Sequence, residues 1–293
     1  AARVVRFADL GLDRREAPFE VAVTDRYVWV LVDPARLLRI ARGDGSRAMA
    51  SGEAGEVWTA MDADPRDGSI WIAARDFGFV HVAPDLAVRR VKLQHAVEGK
   101  SGFVRLLAGP DALYAQPFCS DRGVWRIGWD GKPMGTAFPA PQAEGAVDVT
   151  KMECSPVRLE RGADGRLLAR DAENHAVYAL GEGGKWSAEP ADLFAGVPRG
   201  AQHLFQFNTV AGDRFAPFAE RLIDWKGQPI FLGHVTGSTT AFFVLGDHAA
   251  ESARPASCSG RPVRNVATGA GGYAALLPDF VIFGDLADAP ELP

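Results

Sequence analysis

The stretch FEVAVTDRYVWVLVDPARLLRIA, residues 19–41, decides the fold. β-Branched and aromatic residues fill a run on each side of TDR, and a third apolar run follows the residues DPA. Asp and Pro between such runs mark tight turns, because these residues tolerate or preset turn dihedral angles. The stretch therefore predicts strand, turn, strand, loop, strand, with no helical periodicity.

The same order of elements recurs along the chain, which predicts a repeat architecture. Five further segments align with the first: VWTAMDADPRDGSIWIAARDFGFVHVA from residue 57, FVRLLAGPDALYAQPFCSDRGVWRIGWDG from 103, VRLERGADGRLLARDAENHAVYALGEGG from 157, ERLIDWKGQPIFLGHVTGSTTAFFVLGD from 220 and VRNVATGAGGYAALLPDFVIFGDL from 263. A more polar stretch such as AVRRVKLQ follows the third strand and is suited to an outer, fourth strand.

Four-stranded units repeated in this way predict an all-β, six-bladed β-propeller that forms a single domain over residues 1–293. The N-terminal ARVVRFADL resembles the outer-strand segments, and the last unit stops after FVIFGDL. We therefore expect the N-terminal strand to complete the last blade. A pair of β-sandwiches is the alternative, and it fits less well because sandwiches do not require equal units around the whole chain.

The segment PFEVAVTDRYVWVLVDPARLLRI, residues 18–40, resembles an NHL-type blade. The chain as a whole is similar to the superfamily that holds NHL-repeat, gluconolactonase/regucalcin-like and streptogramin-lyase-like proteins. The resemblance implies a six-bladed propeller. That superfamily contains metal-dependent lactonases, lyases and binding scaffolds, so the resemblance leaves the chemistry open.

The composition excludes some classes of function. The formal net charge is −5 and no basic run offsets it, which argues against a general nucleic-acid binder. No stretch approaches the roughly 20 apolar residues of a membrane helix. The small residues at the start fit cleavage of a signal sequence and fit an arbitrary starting point equally well, so it is mainly the repeat type that favours a periplasmic or extracellular location.

One position near the start of each first strand carries an arginine in four of the six segments. In chain order this position reads Glu20, Trp58, Arg105, Arg158, Arg221 and Arg264. Equivalent positions in a closed ring face equivalent places, so these guanidinium groups should gather at the mouth of one central channel. Like charges held close together are destabilising unless an anion lies near them.

Two interpretations of these arginines stay open. In the first, carboxylates such as Glu20, Glu160 and Glu220 pair with them internally and tie the blades together. In the second, the arginines bind an anionic ligand, since the planar guanidinium suits carboxylate and phosphate groups.

A long connection, residues 194–218, precedes the fifth segment and is predicted to be a loop over the channel face. Its His203 and Asn208, together with Asn174 of the fourth segment, are further candidate ligand-binding residues. The alternative is an ordered flap that packs its phenylalanines on the rim without touching a ligand.

The sequence contains none of three common catalytic motifs, namely a Gly-rich phosphate loop, H-E-x-x-H and G-x-S-x-G. His234, in FLGHVTG at the end of a second strand, is the candidate proton carrier, with a turn histidine as the alternative. His81 alternates within a strand and is expected in the core or on a blade face. Cys119 and Cys154 are predicted on adjacent blades, where a disulfide would require a suitable Cα separation.

The sequence thus supports two hypotheses. The first is an extracytoplasmic propeller that binds an anionic small molecule or a partner protein at an arginine-lined central channel. The second is a lactonase-like hydrolase or a lyase that acts on a carboxylate-bearing substrate at the same face. The cofactor stays open: one divalent cation held together with an anionic substrate is compatible with the channel, and no organic cofactor is indicated.

Overall fold

The structure is a computed structural model. It describes residues 2–12, 18–75, 78–94, 103–117, 124–138, 157–161, 165–171, 176–181, 185–188, 215–225, 228–235, 241–244, 254–255, 257–258, 261–262 and 265–289. Within them the regular structure is β-strand, apart from the short 3-10 helices Ala8–Leu10 and Leu286–Asp288. The strands form four-stranded antiparallel sheets and one two-stranded sheet, which confirms the all-β prediction. No helix in this part of the chain is long and apolar enough to cross a bilayer.

The chain divides into two compact units. The first unit comprises Ala1–Ala54 and Phe194–Pro293, and the second comprises Gly55–Leu193. Each unit contains three of the four-stranded sheets, which we number 1 to 6 by the chain order of their first strands. The single-domain organisation stays a prediction.

The first unit holds sheets 1, 5 and 6. Sheet 1 consists of β2 (Pro18–Val23), β3 (Tyr27–Val32), β4 (Arg36–Ala41) and β5 (Arg47–Ser51). Sheet 5 consists of β18 (Phe215–Trp225), β19 (Gln228–Val235), β20 (Ala241–Val244) and β21 (Arg254–Pro255). Sheet 6 consists of β24 (Asn265–Gly269), β25 (Gly272–Leu276), β26 (Phe280–Asp285) and β1 (Arg3–Arg6), and the two-stranded sheet consists of β22 (Ser257–Cys258) and β23 (Arg261–Pro262).

The second unit holds sheets 2, 3 and 4. Sheet 2 consists of β6 (Trp58–Ala63), β7 (Ile70–Ala74), β8 (Gly78–Val82) and β9 (Val88–Lys92). Sheet 3 consists of β10 (Phe103–Ala108), β11 (Leu113–Pro117), β12 (Val124–Ile127) and β13 (Pro133–Phe138). Sheet 4 consists of β14 (Val157–Arg161), β15 (Leu167–Asp171), β16 (Ala176–Leu180) and β17 (Trp186–Ala188).

The N-terminal strand joins the last sheet, as the sequence predicted. Arg3 pairs with Phe283 and Arg6 with Phe280, so β1 is the fourth strand of sheet 6. The strand also packs into the apolar core of the first unit, because Val5 is only 4% exposed. The two ends of the chain are therefore joined within one sheet.

The sequence predicted a loop over residues 194–218, and this prediction is wrong for residues 215–218. Strand β18 begins at Phe215, and Phe215 and Ala216 pair with Val235 and His234. The reason is that β19 is long enough to offer partners beyond the irregularity between Ala216 and Arg221, and phenylalanine favours strands. Residues 194–214 lie outside the described part of the chain.

Apolar faces of neighbouring sheets form the cores. In the second unit Phe79 of sheet 2 and Phe103 of sheet 3 stack with centroids 5.5 Å apart. The turn after β12 approaches sheet 2 closely, because Gly131 has φ +83° and a Cβ there would lie 2.2 Å from the carbonyl oxygen of Lys92. Only glycine permits both this backbone conformation and this approach.

The role of β1 predicts unequal effects of two similar substitutions. Val5→Ala should lower the free energy of unfolding by about 2 kcal/mol, because it removes buried methyl groups. Val4→Ala on the same strand should change it by less than about 0.5 kcal/mol, since Val4 is 54% exposed. Urea unfolding followed by tryptophan fluorescence measures both, and equal effects would show that β1 is not anchored in this core.

Candidate functional site at the start of the first strands

The first strand of several sheets contains an irregularity of the β-bulge type near its start. The pairing shifts between Pro18 and Glu20, between Trp58 and Ala60, and between Phe103 and Arg105. A bulge leaves one residue unpaired and redirects the side chains around it. We call one position in each first strand the first-strand register. It is the first residue to pair after the irregularity, and in the other first strands it is the residue at the same distance from the hairpin turn. It is occupied by Glu20, Ala60, Arg105, Arg158, Arg221 and Asn265.

The structure corrects two of the six residues that the sequence alignment assigned to this position. In sheet 2 the register holds Ala60, and Trp58 lies on the other side of the bulge. In sheet 6 it holds Asn265, which pairs with Leu276, whereas Arg264 precedes the described strand. In sheet 2 the bulge adds Thr59, a residue that no sequence pattern reveals. In sheet 6 the alignment misses the register by one residue, and such a shift turns a side chain to the opposite face.

Trp58 serves packing in sheet 2. Its side chain is 1% exposed, and its indole Nε1 donates to Glu56 Oε2 at 3.2 Å. Glu56 in turn accepts from Arg90 at 2.7 Å. This tryptophan therefore belongs to a network within its own sheet.

Polar side chains at the first-strand register are buried. Glu20, Arg105 and Asn265 are 6%, 5% and 9% exposed, respectively. The residues after Arg105 on β10 are buried and apolar, namely Leu106, Leu107 and Ala108. Buried polar groups are destabilising unless hydrogen-bonded, so their recurrence at one register marks this as the candidate site.

In the second unit the register forms a row on neighbouring strands, because β10 contacts both β6 and β14. Arg105 pairs across its hairpin with Gln116, which is 3% exposed. The Gln116 Oε1 atom accepts a hydrogen bond of 3.4 Å from the backbone N–H of Leu159, the residue after Arg158. Sheet 3 is thus linked to the first strand of sheet 4 beside two arginine positions.

In the first unit the corresponding row lies on β18, β24 and β2, since β24 contacts both of the other strands. Asn265 Nδ2 donates to the carbonyl oxygen of Phe19, the residue before Glu20, at 2.9 Å. Asn265 Oδ1 is buried, and it meets no hydrogen-bond donor in the part of the chain described above. Arg221 holds the register position on β18.

The turn end of the first strands in the second unit carries an ion pair. The Asp62 carboxylate accepts from the backbone N–H of Ala108 at 2.8 Å and from the Arg161 guanidinium. Arg161 also donates to the carbonyl oxygen of Ala108 at 3.0 Å. Arg161, which is not one of the aligned arginines, therefore ties the first strands of three sheets in the way that the internal-pairing interpretation expects.

The remaining predicted residues divide into two groups. His234 lies near the end of β19, opposite Ala216, at the end of sheet 5 that also bears the start of β18. Outside the described part of the chain lie Asn174, His203, Asn208, Arg264, Cys119 and Cys154. Within the described part, no group of three or more His, Cys, Asp or Glu side chains could hold a metal ion.

His81 lies on the face of sheet 2, as expected from its alternation in the strand. Its Nε2 lies 2.9 Å from Ser69 Oγ, and its ring lies against Trp71 with centroids 4.6 Å apart. Burial, followed by the positive charge of Arg89, lowers the pKa of His81 below its ordinary 6.5. The fold therefore favours the neutral imidazole.

This lowered pKa predicts that His81 destabilises the fold in acid. Because the unfolded chain takes up the proton more readily below pH 6.5, the free energy of unfolding should fall as the pH drops from 7 towards the folded-state pKa. The contribution should not exceed about 1.4 kcal/mol per pH unit. Urea unfolding of the wild type and His81→Phe at several pH values measures it, and a wild-type advantage that stays constant or grows in acid contradicts the assignment.

Comparisons with known proteins identify the fold. No protein-family model and no curated protein sequence matches the chain. Virginiamycin B lyase from Staphylococcus aureus matches with a TM-score of 0.57 and 12% identity over 97% of this chain and 98% of that chain. A putative gluconolactonase matches with a TM-score of 0.52 and 13% identity over 97% and 92%. YCF48 from Cyanidioschyzon merolae matches with a TM-score of 0.51 and 11% identity over 99% and 100%. The chain has the β-propeller fold of these structures.

Proposed function

We propose that this protein is a binding propeller that holds an anionic ligand, through a carboxylate or phosphate group, at the first-strand register. The observation that carries the proposal is the buried Arg105 in an otherwise apolar strand, with Arg158 at the same register on the adjacent first strand. A small molecule or an acidic segment of a partner protein can supply the anionic group.

The chemistry of arginine supports this proposal. A guanidinium stays charged in proteins and offers several N–H donors in one plane, which match the two oxygens of a carboxylate. An anion close to a buried guanidinium offsets the cost of removing its charge from water. Across its hairpin Arg105 pairs with the neutral Gln116.

The proposal has two wider parts. The sheets act as six blades around a central channel with the first-strand register at its mouth, on the strength of the six aligned segments. The protein works in the periplasm or outside the cell, on the strength of its repeat type. YCF48 has also been solved bound to a D1 peptide, with a TM-score of 0.52 to this chain, so at least one propeller of similar fold binds a peptide.

An enzymatic function is the second hypothesis from the sequence. In it His234 carries a proton for a hydrolase or lyase reaction on a carboxylate-bearing substrate. The strand position of His234, opposite Ala216, is compatible with this role. The proposal of ligand binding does not depend on it.

The proposal predicts a loss of anion affinity on truncation of an arginine at the register. Arg158→Ala should weaken the binding of inorganic phosphate and acetate about tenfold to a hundredfold, because a charge-assisted hydrogen bond contributes about 1.5–3 kcal/mol. Isothermal titration calorimetry at low ionic strength measures both affinities.

Arg47→Ala is the matched control. It makes the same change in charge, but Arg47 is exposed on β5, the outer strand of sheet 1, so affinity should be retained. If Arg158→Ala leaves affinity unchanged while the free energy of unfolding drops by more than about 2 kcal/mol, Arg158 serves as a tie between sheets and the proposal fails.

A further inference from the structure

Asn265 is held in one orientation at the start of β24. Its Nδ2 donates to the carbonyl oxygen of Phe19 at 2.9 Å, which fixes the amide nitrogen on that side. The opposite atom, Oδ1, is buried and meets no hydrogen-bond donor among the residues that the structure describes. The side chain as a whole is 9% exposed.

A buried acceptor without a donor is uncommon in a folded protein, because the group has lost water without a replacement. The strand itself does not require a polar residue at this register. Sheet 2 has Ala60 at the equivalent position of its first strand. The Nδ2 half of the amide links β24 to β2 through the carbonyl oxygen of Phe19, whereas the Oδ1 half has no partner among the described residues.

The strands on both sides of β24 carry charged residues at the same register. Strand β18 has Arg221 and strand β2 has Glu20, and both strands contact β24. The row in the first unit thus runs from a cationic residue through a carbonyl acceptor to an acidic residue. Arg221 and Asn265 thus hold the same register on first strands that contact each other.

We infer that Asn265 Oδ1 accepts a hydrogen bond from the ligand, so that the preferred ligand is a small carboxylate with an O–H or N–H donor next to the carboxylate. The inference rests on the proposed function, because it assigns the carboxylate to the arginine of the register, Arg221. It adds the donor requirement. A buried acceptor discriminates strongly, since an analogue without the donor leaves it unpaired.

Three carboxylates test the inference on the wild-type protein. Acetate has no donor, glycolate has a hydroxyl next to the carboxylate, and methoxyacetate keeps that oxygen but lacks its hydrogen. Glycolate should bind about tenfold or more tightly than the other two in calorimetric titrations. In Asn265→Ala, glycolate and acetate should bind within about twofold of each other, and acetate should bind as it does to the wild type.

Arg221→Ala separates the two claims, because it should weaken acetate and glycolate by the same factor. If the wild type binds glycolate and acetate equally, or methoxyacetate as tightly as glycolate, the donor requirement is wrong and the proposed function stands. A preference for glycolate that survives in Asn265→Ala overturns the assignment to this residue. If neither the carboxylates nor inorganic phosphate binds, both proposals fail, whereas binding of phosphate alone overturns only the donor requirement. Should Asn265→Ala not fold, the comparison of the three ligands on the wild type still decides the donor requirement.

Discussion

The bulge near the start of a first strand is the constraint on which the candidate site depends. It leaves carbonyl groups that the hairpin partner cannot satisfy, and a neighbouring sheet supplies the donor. Asn265 donates to the carbonyl oxygen of Phe19, and Thr59 donates to that of Phe103 at 2.7 Å. Phe103 pairs with Pro117, which has no N–H to offer. Because buried carbonyl groups need partners, the bulge fixes how neighbouring first strands lie in each unit and puts polar residues beside them.

Polar groups on the first strands consequently divide by position. At the turn end, Asp62 and Arg161 pair with each other and with the backbone of Ala108, which is a complete structural network. At the bulge end, Arg105 and Asn265 lie in the register that the proposals use. At the turn end of the second unit an arginine therefore serves as a structural tie, because the Asp62 carboxylate accepts from Arg161 there.

Much of this architecture could be predicted from the sequence. Hairpin turns and β-branched runs specify the strands, and the outer-strand character of ARVVRF specifies the pairing of β1 with β26. The register was less predictable. In sheet 2 the unpaired Thr59 moves it from Trp58 to Ala60 without any sign in composition. In sheet 6 alignment at the start of the segment selects Arg264, one residue before Asn265. The hairpin length, counted from the turn rather than from the strand start, was the signal that would have found Asn265.

The central claim is that the arginines of the first-strand register face a bound anion and not the protein's own carboxylates. A high-resolution crystal structure of the protein soaked in sodium acetate tests it most directly. The account predicts an acetate with both oxygens within hydrogen-bond distance of a guanidinium at the register, that of Arg105, Arg158 or Arg221. The account is contradicted if each of these guanidinium groups forms a bidentate ion pair with a carboxylate of the protein and acetate binds elsewhere.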